Sequence, residues 1–93
     1  QIALMAPTEI LAEQHRQNFV KWLNPFDYKV ELLSGKIKGA KRKKINQELE
    51  NGSINVIIGT HALFQENVKF HALGLIIIDE QHRFGVGQRL ALL

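Results

Sequence analysis

Four short apolar runs, separated by segments of helical periodicity, constrain the fold of this 93-residue chain more than any other feature. The runs are "IALMA" at 2–6, "YKVELL" at 28–33, "INVIIG" at 54–59 and "LGLIIID" at 73–79. The second run alternates more between polar and apolar residues, so we expect its strand to be half exposed or near an edge. Continuous apolar strands occur where helices cover both faces of a parallel sheet. The pattern therefore predicts an α/β domain with a parallel sheet of about four strands and helices on both faces.

The segment between the first two runs is predicted to be a helix. Apolar side chains recur with helical spacing from Thr8, a candidate N-cap, to about Leu23. The sequence "NPFD" at 24–27 then favours a turn. Within the predicted core-facing arc, His15 is expected to be a packed, hydrogen-bonded histidine rather than a ligand. The arc comprises Leu11, Ala12, His15, Phe19, Trp22 and Leu23.

The basic residues are concentrated in one segment. Residues 36–44, "KIKGAKRKK", hold six basic residues and no acid, although the net charge of the chain is only +3. They lead into a polar helix predicted at about 40–50, in which Ile45 and Leu49 face the core and Gly52 follows the end. Alone, such a run is most often a solvated helix face. Beside other polar motifs it becomes a candidate surface for a nucleic-acid backbone.

Composition disfavours several classes of protein. The chain has no cysteine, which excludes disulfide frameworks and thiolate metal sites and is compatible with the cytoplasmic location that we expect. No apolar run reaches about 18 residues and no signal-peptide pattern is present, so we expect no membrane association. The chain opens without Met and ends in "LALL", and we expect it to be a segment of a longer protein.

A polar motif follows each apolar run. The motifs are "APTE", "SGK", "GTHAL" and "DEQH". Because the carboxyl ends of parallel strands share one edge of a sheet, ligands of α/β proteins collect there. Thr8 stands at a strand-to-helix turn, where free N–H groups suit a phosphate oxygen, although an ordinary N-cap is the simpler interpretation. The motifs "SGK" and "GTHAL" likewise fit either a phosphate contact or an ordinary turn.

The acidic pair Asp79-Glu80 has two interpretations. It is a solvated strand end, or it is a Walker B site in which Asp79 holds Mg²⁺ through water and Glu80 polarises the water that attacks ATP. A glycosidase pair fits less well, because those carboxyls flank a sugar and need not be adjacent. The sequence contains no "GxxxxGK[ST]" loop, and the lone G-x-G of "GVGQR" is too weak to indicate a dinucleotide site.

Together, the four motifs resemble a known family. "APTEILAEQH", "LLSGK", "NVIIGTHALFQ" and "LIIIDEQHRFGVGQR" resemble, in order and separation, the first motor lobe of superfamily-two DNA helicases. "DEQHRFGVGQR" is similar to the RecG-type branch in particular. The resemblance covers essentially the whole chain and implies a partial RecA-like (P-loop NTPase) domain. In its sheet, strand 75–79 would lie beside 2–6, followed by 54–58, with 29–33 outermost.

The resemblance also implies the roles of individual residues. Asp79 would coordinate Mg²⁺ through water and, with Glu80, contact ATP, while Glu80 would be the catalytic base. Gln81 and His82 would link the nucleotide site to other parts of the motor. Contacts with the DNA backbone would come from Pro7, Thr8, Glu9, Ser34, Gly35, Lys36, Gly59, Thr60 and His61.

By this resemblance, residues 1–93 are the central part of motor lobe 1, from motif Ia to the DEQH box, of an ATP-dependent DNA helicase. Its partners would be forked or branched DNA and the remaining domains of the parent. The Walker A loop, the second lobe with its arginine finger and the wedge domain are expected outside the chain, which alone would be inactive.

The alternatives to this function are a non-catalytic basic α/β nucleic-acid-binding module, the transcription-repair coupling translocase and the primosome helicase. Glu80 favours an enzyme, because adjacent carboxylates would only repel DNA from a pure binder.

Overall fold

One mixed sheet organises the chain. The computed structural model describes residues 1–65 and 67–79, together with the backbone of 88–91. The strands are β1 (Ile2–Met5), β2 (Val30–Leu33), β3 (Val56–Gly59), β4 (Leu75–Asp79) and β5 (Gln88–Ala91). The helices are α1 (Glu9–Leu23), α2 (Gly39–Asn51) and two short 3₁₀ helices, Asn24–Phe26 and His61–Phe64. No helix among the described residues is both long and apolar enough to cross a lipid bilayer.

The order of the parallel strands confirms the prediction. The sheet order is β2-β3-β1-β4-β5, and β1 pairs in parallel with both β3 and β4, while β3 pairs in parallel with β2. All four residues of β3 are buried, as expected for a strand with helices on both faces. β2 is the outermost parallel strand, which agrees with its less apolar sequence.

The fifth strand was not predicted, since the sequence indicated a parallel sheet of about four strands. β5 runs antiparallel to β4, with Ile76 opposite Ala91 and Asp79 opposite Gln88. The physical reason is that the outer edge of β4 would otherwise present a row of unpaired N–H and C=O groups. The antiparallel pairing satisfies them, and the sheet is mixed rather than purely parallel.

Helices cover both faces of the sheet, as predicted. On one face α1 packs against β2 and β3, and the buried residues there are Leu4, Ala6, Ala12, Val56 and Ile58. On the other face α2 and the 3₁₀ helix at His61–Phe64 cover a second cluster, formed by Ala3, Leu33, Ile45, Leu49, Ile54, Ile57, Ala62, Leu63 and Ile76. Ala3 and Leu4 belong to different clusters because successive strand residues point to opposite faces.

The helix α1 begins and ends as the sequence predicts. Thr8 is its N-cap, with Oγ1 accepting a hydrogen bond from the Leu11 N–H at 3.2 Å. The prediction for Trp22 was wrong, because this side chain is 60% exposed. It lies in the last turn of α1 and packs on Phe19, with ring centroids 5.5 Å apart, rather than on the sheet.

Candidate functional site

The four predicted motifs lie at one edge of the sheet. The strand register pairs Leu33 with Gly59, Gly59 with Met5, and Met5 with Ile78. The four parallel strands therefore end at the same level, and the residues that follow them share one edge. We call this edge the carboxyl rim and define it as residues 6–9, 34–36, 59–61 and Asp79.

The third motif is held tightly between its neighbouring strands. The Ala6 N–H donates to the carbonyl oxygen of Gly59 at 2.8 Å, which joins the ends of β1 and β3. A Cβ atom at Gly59 would lie 2.0 Å from the carbonyl oxygen of Leu33. Real Cβ atoms do not approach a carbonyl oxygen so closely, so only glycine allows this spacing of β2 and β3.

Polar side chains complete the third motif. Thr60 is the N-cap of the following 3₁₀ helix, and its Oγ1 accepts from the Ala62 N–H at 3.5 Å. His61 is exposed at the start of that helix. The motif therefore combines a backbone turn fixed by its neighbours with an exposed imidazole.

The first and second motifs are joined through Glu9. A hydrogen bond from the Ser34 side chain, and more weakly the nearby Lys36, lower the pKa of Glu9 below its ordinary value. The Lys36 ammonium lies 3.3 Å from the Glu9 carboxylate, but the lysine side chain is 84% exposed, so this ion pair contributes little stability. Ser34 is buried, whereas Gly35 is exposed. The Glu9 carboxylate at the start of α1 thus lies beside the second motif.

Arg42 also holds the second motif, although sequence reasoning grouped it with the exposed lysines of the basic run. Its guanidinium donates to the carbonyl oxygens of Ser34 and Ile37, each at 3.2 Å. It also donates to the side-chain oxygen of Gln65 at 2.6 Å. The sequence shows only that Arg42 is charged. That its guanidinium donates to the carbonyl oxygens of the 34–37 loop depends on the path of that loop, which the sequence does not give.

Asp79 closes the rim at the end of β4. Its side chain is only 3% exposed, so it is not a solvated strand end. The Nε2 atom of His15, on α1, lies 2.5 Å from Asp79 Oδ2. His15 was expected to be hydrogen-bonded, and its partner is the predicted metal ligand. The other predicted catalytic residues, Glu80, Gln81 and His82, lie outside the described residues.

The described residues fit a magnesium ion that is held mainly by a nucleotide. Within residues 1–65 and 67–79, no three ligating side chains converge on one point. A nucleotide-bound Mg²⁺ does not need three, since it takes one or two carboxylates and otherwise waters and phosphate oxygens. Asp79 would supply one carboxylate, at the edge where α/β sheets bind their ligands.

Comparison with known proteins agrees with this geometry. The chain is 58% identical over 99% of its length to the ATP-dependent DNA helicase RecG of Haemophilus influenzae. It is 58% identical over 100% of its length to that of Synechocystis, and 56% over 99% to that of Escherichia coli. The chain spans only 13%, 11% and 13% of the lengths of these three relatives.

The fold is likewise similar to a solved structure of RecG bound to a three-way DNA junction. The TM-score is 0.79 at 52% sequence identity, over 90% of this chain and 12% of that one. A family model described as DEAD/DEAH box helicase matches residues 1–92, which is nearly the whole sequence. With the four strand-end motifs aligned on one rim, this match shows that the chain belongs to the DEAD/DEAH box helicase family.

Proposed function

We propose that residues 1–93 form the central part of the first motor lobe of a RecG-type ATP-dependent DNA helicase. The observation that carries the proposal is the carboxyl rim, which brings four separate motifs to one level and ends in the buried Asp79. The complete enzyme would act in the cytoplasm and couple ATP hydrolysis to the remodelling of forked or branched DNA. The similarity to RecG helicases favours this branch over the coupling translocase.

The ATP-binding half of the proposal rests on Asp79 and the residue that follows it. Asp79 would hold the nucleotide complex through a water ligand of Mg²⁺, which offsets phosphate charge when bound. Glu80 would accept a proton from the attacking water as the general base. Gln81 and His82 would relay the state of the nucleotide to the rest of the motor.

The DNA-binding half rests on the remainder of the carboxyl rim. Pro7, Thr8, Gly35, Lys36 and His61 are exposed there, and their backbone and side-chain groups would contact DNA phosphates. Such contacts position a protein on DNA without reading its sequence. The other proposed members of the interface lie next to these residues. Glu9 and Ser34 are beside Lys36. Gly59 and Thr60 directly precede His61 in the chain.

Two substitutions in the complete enzyme separate the proposed roles of the acidic pair. Glu80→Gln should leave ATP binding nearly unchanged and lower turnover by about 10²–10⁴-fold, because the amide cannot take up the proton. Asp79→Asn should lower both turnover and Mg²⁺-dependent nucleotide affinity, because a neutral amide accepts a hydrogen bond from a Mg²⁺-bound water less strongly than a carboxylate does. Nucleotide titrations and single-turnover rates measure the two effects separately.

Glu50→Gln is the matched control, because Glu50 is an exposed acid near the end of α2, away from the carboxyl rim. It should change neither quantity. Near-normal turnover of the Glu80→Gln enzyme would contradict the proposed mechanism and return the acidic pair to a purely structural role.

A further inference from the structure

The alternation of side chains along β4 decides which helix Asp79 faces. Ile76 and Ile78 pack in the cluster beneath α2, whereas Ile77 packs in the cluster beneath α1. Asp79, two residues after Ile77, therefore points to the α1 face, since residues i and i+2 of a strand share a face. The helix on that face begins at the carboxyl rim, after its N-cap Thr8, and its His15 side chain reaches Asp79.

His15 occupies the inner side of α1 where an apolar residue would be expected. Ala12 and Phe19, on the same side of the helix, pack in the apolar cluster. A polar ring among such neighbours costs free energy unless it is hydrogen-bonded. Its partner here is Asp79, at 2.5 Å, with side-chain exposures of 23% for His15 and 3% for Asp79.

The direction of this hydrogen bond follows from the chemistry of the two groups. An ionised carboxylate only accepts hydrogen bonds, so the His15 Nε2 atom carries the hydrogen and donates it. Hydrogen bonds to a charged acceptor are about twice as strong as neutral ones, and they gain further in a site of low dielectric constant. The contact therefore restrains the Oδ2 atom of the Asp79 carboxylate.

We propose that His15 is a positioning residue for the ATP site: it orients the Asp79 carboxylate for Mg²⁺-nucleotide binding. The inference rests on the function proposed above, in which Asp79 holds the metal. Groups that orient the ligands of a metal ion are themselves held by hydrogen bonds, and loss of such an outer-shell partner typically costs 10–100-fold in metal affinity or activity. His15 touches neither nucleotide nor metal in this role and acts through Asp79.

The test compares His15→Ala and His15→Gln in the complete enzyme. A fluorescent ATP analogue is titrated with Mg²⁺, and the half-saturating Mg²⁺ concentration is read from binding in the absence of turnover. His15→Ala should raise that concentration about tenfold or more. His15→Gln should restore most of the affinity, because the glutamine Nε2–H can reach a position similar to that of the histidine Nε2–H. Thermal unfolding without nucleotide reports the packing of α1 independently.

Asn18→Ala is the matched control, because Asn18 is exposed on the same helix and should leave the Mg²⁺ titration unchanged. An unaltered titration for His15→Ala, with Asp79→Asn clearly impaired, would overturn the role of His15 and leave the proposed function intact. Equal impairment of the Ala and Gln variants would also overturn it, since that pattern indicates packing alone. Absence of Mg²⁺-dependent nucleotide binding in the unmodified enzyme would overturn both proposals.

Discussion

Among single residues, Gly59 determines how closely the strands approach at the carboxyl rim. Its backbone passes so near β2 that a Cβ would lie 2.0 Å from the Leu33 carbonyl oxygen and 3.1 Å from a carbon of the Leu63 side chain. The carbonyl oxygen belongs to a strand that is itself fixed by the sheet, so it cannot move aside cheaply. The rim motif at 59–61 therefore depends on a glycine for its shape, independently of any contact with DNA.

Gly59→Ala should destabilise the fold formed by these residues. Forcing a methyl group into a packed site costs about 1–3 kcal/mol, and a backbone obstacle places the cost at the upper end. The lowest thermal transition of the complete enzyme should fall by on the order of 5 °C. Gly35→Ala is the matched control, because a Cβ there meets nothing within 4 Å. Equal transition temperatures for the two variants would show that β2 yields to the added methyl group.

The pairing of His15 with Asp79 is a second property of single residues. The sequence alone could not predict this pairing. Each residue was singled out from its local pattern: an aspartate after an apolar run, and a histidine within an apolar arc. The two are 64 residues apart, and their contact depends on which helix covers which face of the sheet. Periodicity predicts that a face is covered, but it does not identify the covering helix.

Among the helices and strands, α2 carries basic residues of two kinds: exposed lysines, and an arginine that is hydrogen-bonded to the neighbouring loop. Lys41, Lys43 and Lys44 are exposed near its beginning, whereas Arg42 donates inward to the loop that carries Ser34. The beginning of α2 lies beside the carboxyl rim because that loop connects it to the end of β2. Under the proposed function the lysines would meet a DNA backbone, whereas Arg42 holds the loop between β2 and α2.

Salt dependence of DNA binding by the complete enzyme should distinguish these two kinds of basic residue. Replacing Lys41, Lys43 and Lys44 with Gln should flatten the slope of log K against log salt by about 0.9 for each lysine that neutralises a phosphate. Arg42→Gln should weaken binding at every salt concentration with little change of slope, because its guanidinium is bonded to carbonyl oxygens.

Lys21→Gln is the control for this experiment, since Lys21 lies in the last turn of α1, far along the helix from the carboxyl rim. It should change neither affinity nor slope. A flatter slope for Arg42→Gln, equal to that of a single lysine substitution, would show that Arg42 exchanges its loop contacts for a phosphate on binding.

The elements themselves were largely predictable, because the signals that define them are local. Thr8 caps α1, and Gly52 follows α2 with the positive φ of 87° that a terminal glycine adopts. The core positions Ile45 and Leu49 were likewise assigned correctly. The failures were non-local: the antiparallel pairing of β5 depends on the edge of β4, and the exposure of Trp22 depends on tertiary packing that helical periodicity does not specify.

In the molecule as a whole, the net charge is only +3, but the positive charges are concentrated in one segment. The segment 36–44 carries six basic residues and no acid, while the rest of the chain carries six basic and nine acidic residues. The fold places the start of that segment on the carboxyl rim, where Glu9 offsets part of the charge of Lys36. Positive potential is therefore concentrated on the edge proposed to meet DNA, which favours encounter with phosphates.

The 93-residue polypeptide, prepared by itself, should not hydrolyse ATP. Its sequence contains no "GxxxxGK[ST]" loop, whose backbone N–H groups and lysine hold the phosphates in P-loop enzymes. An arginine finger, which the resemblance assigns to a second lobe, is worth about 10³–10⁵ in kcat. Phosphate release should be measured for this polypeptide beside the complete enzyme at equal concentration. The same polypeptide carrying Glu80→Gln gives the background from contaminating ATPases. Turnover that exceeds this background would mean that these residues complete an ATP site without the Walker A loop, and the assignment of Asp79 and Glu80 to half of a site would be wrong.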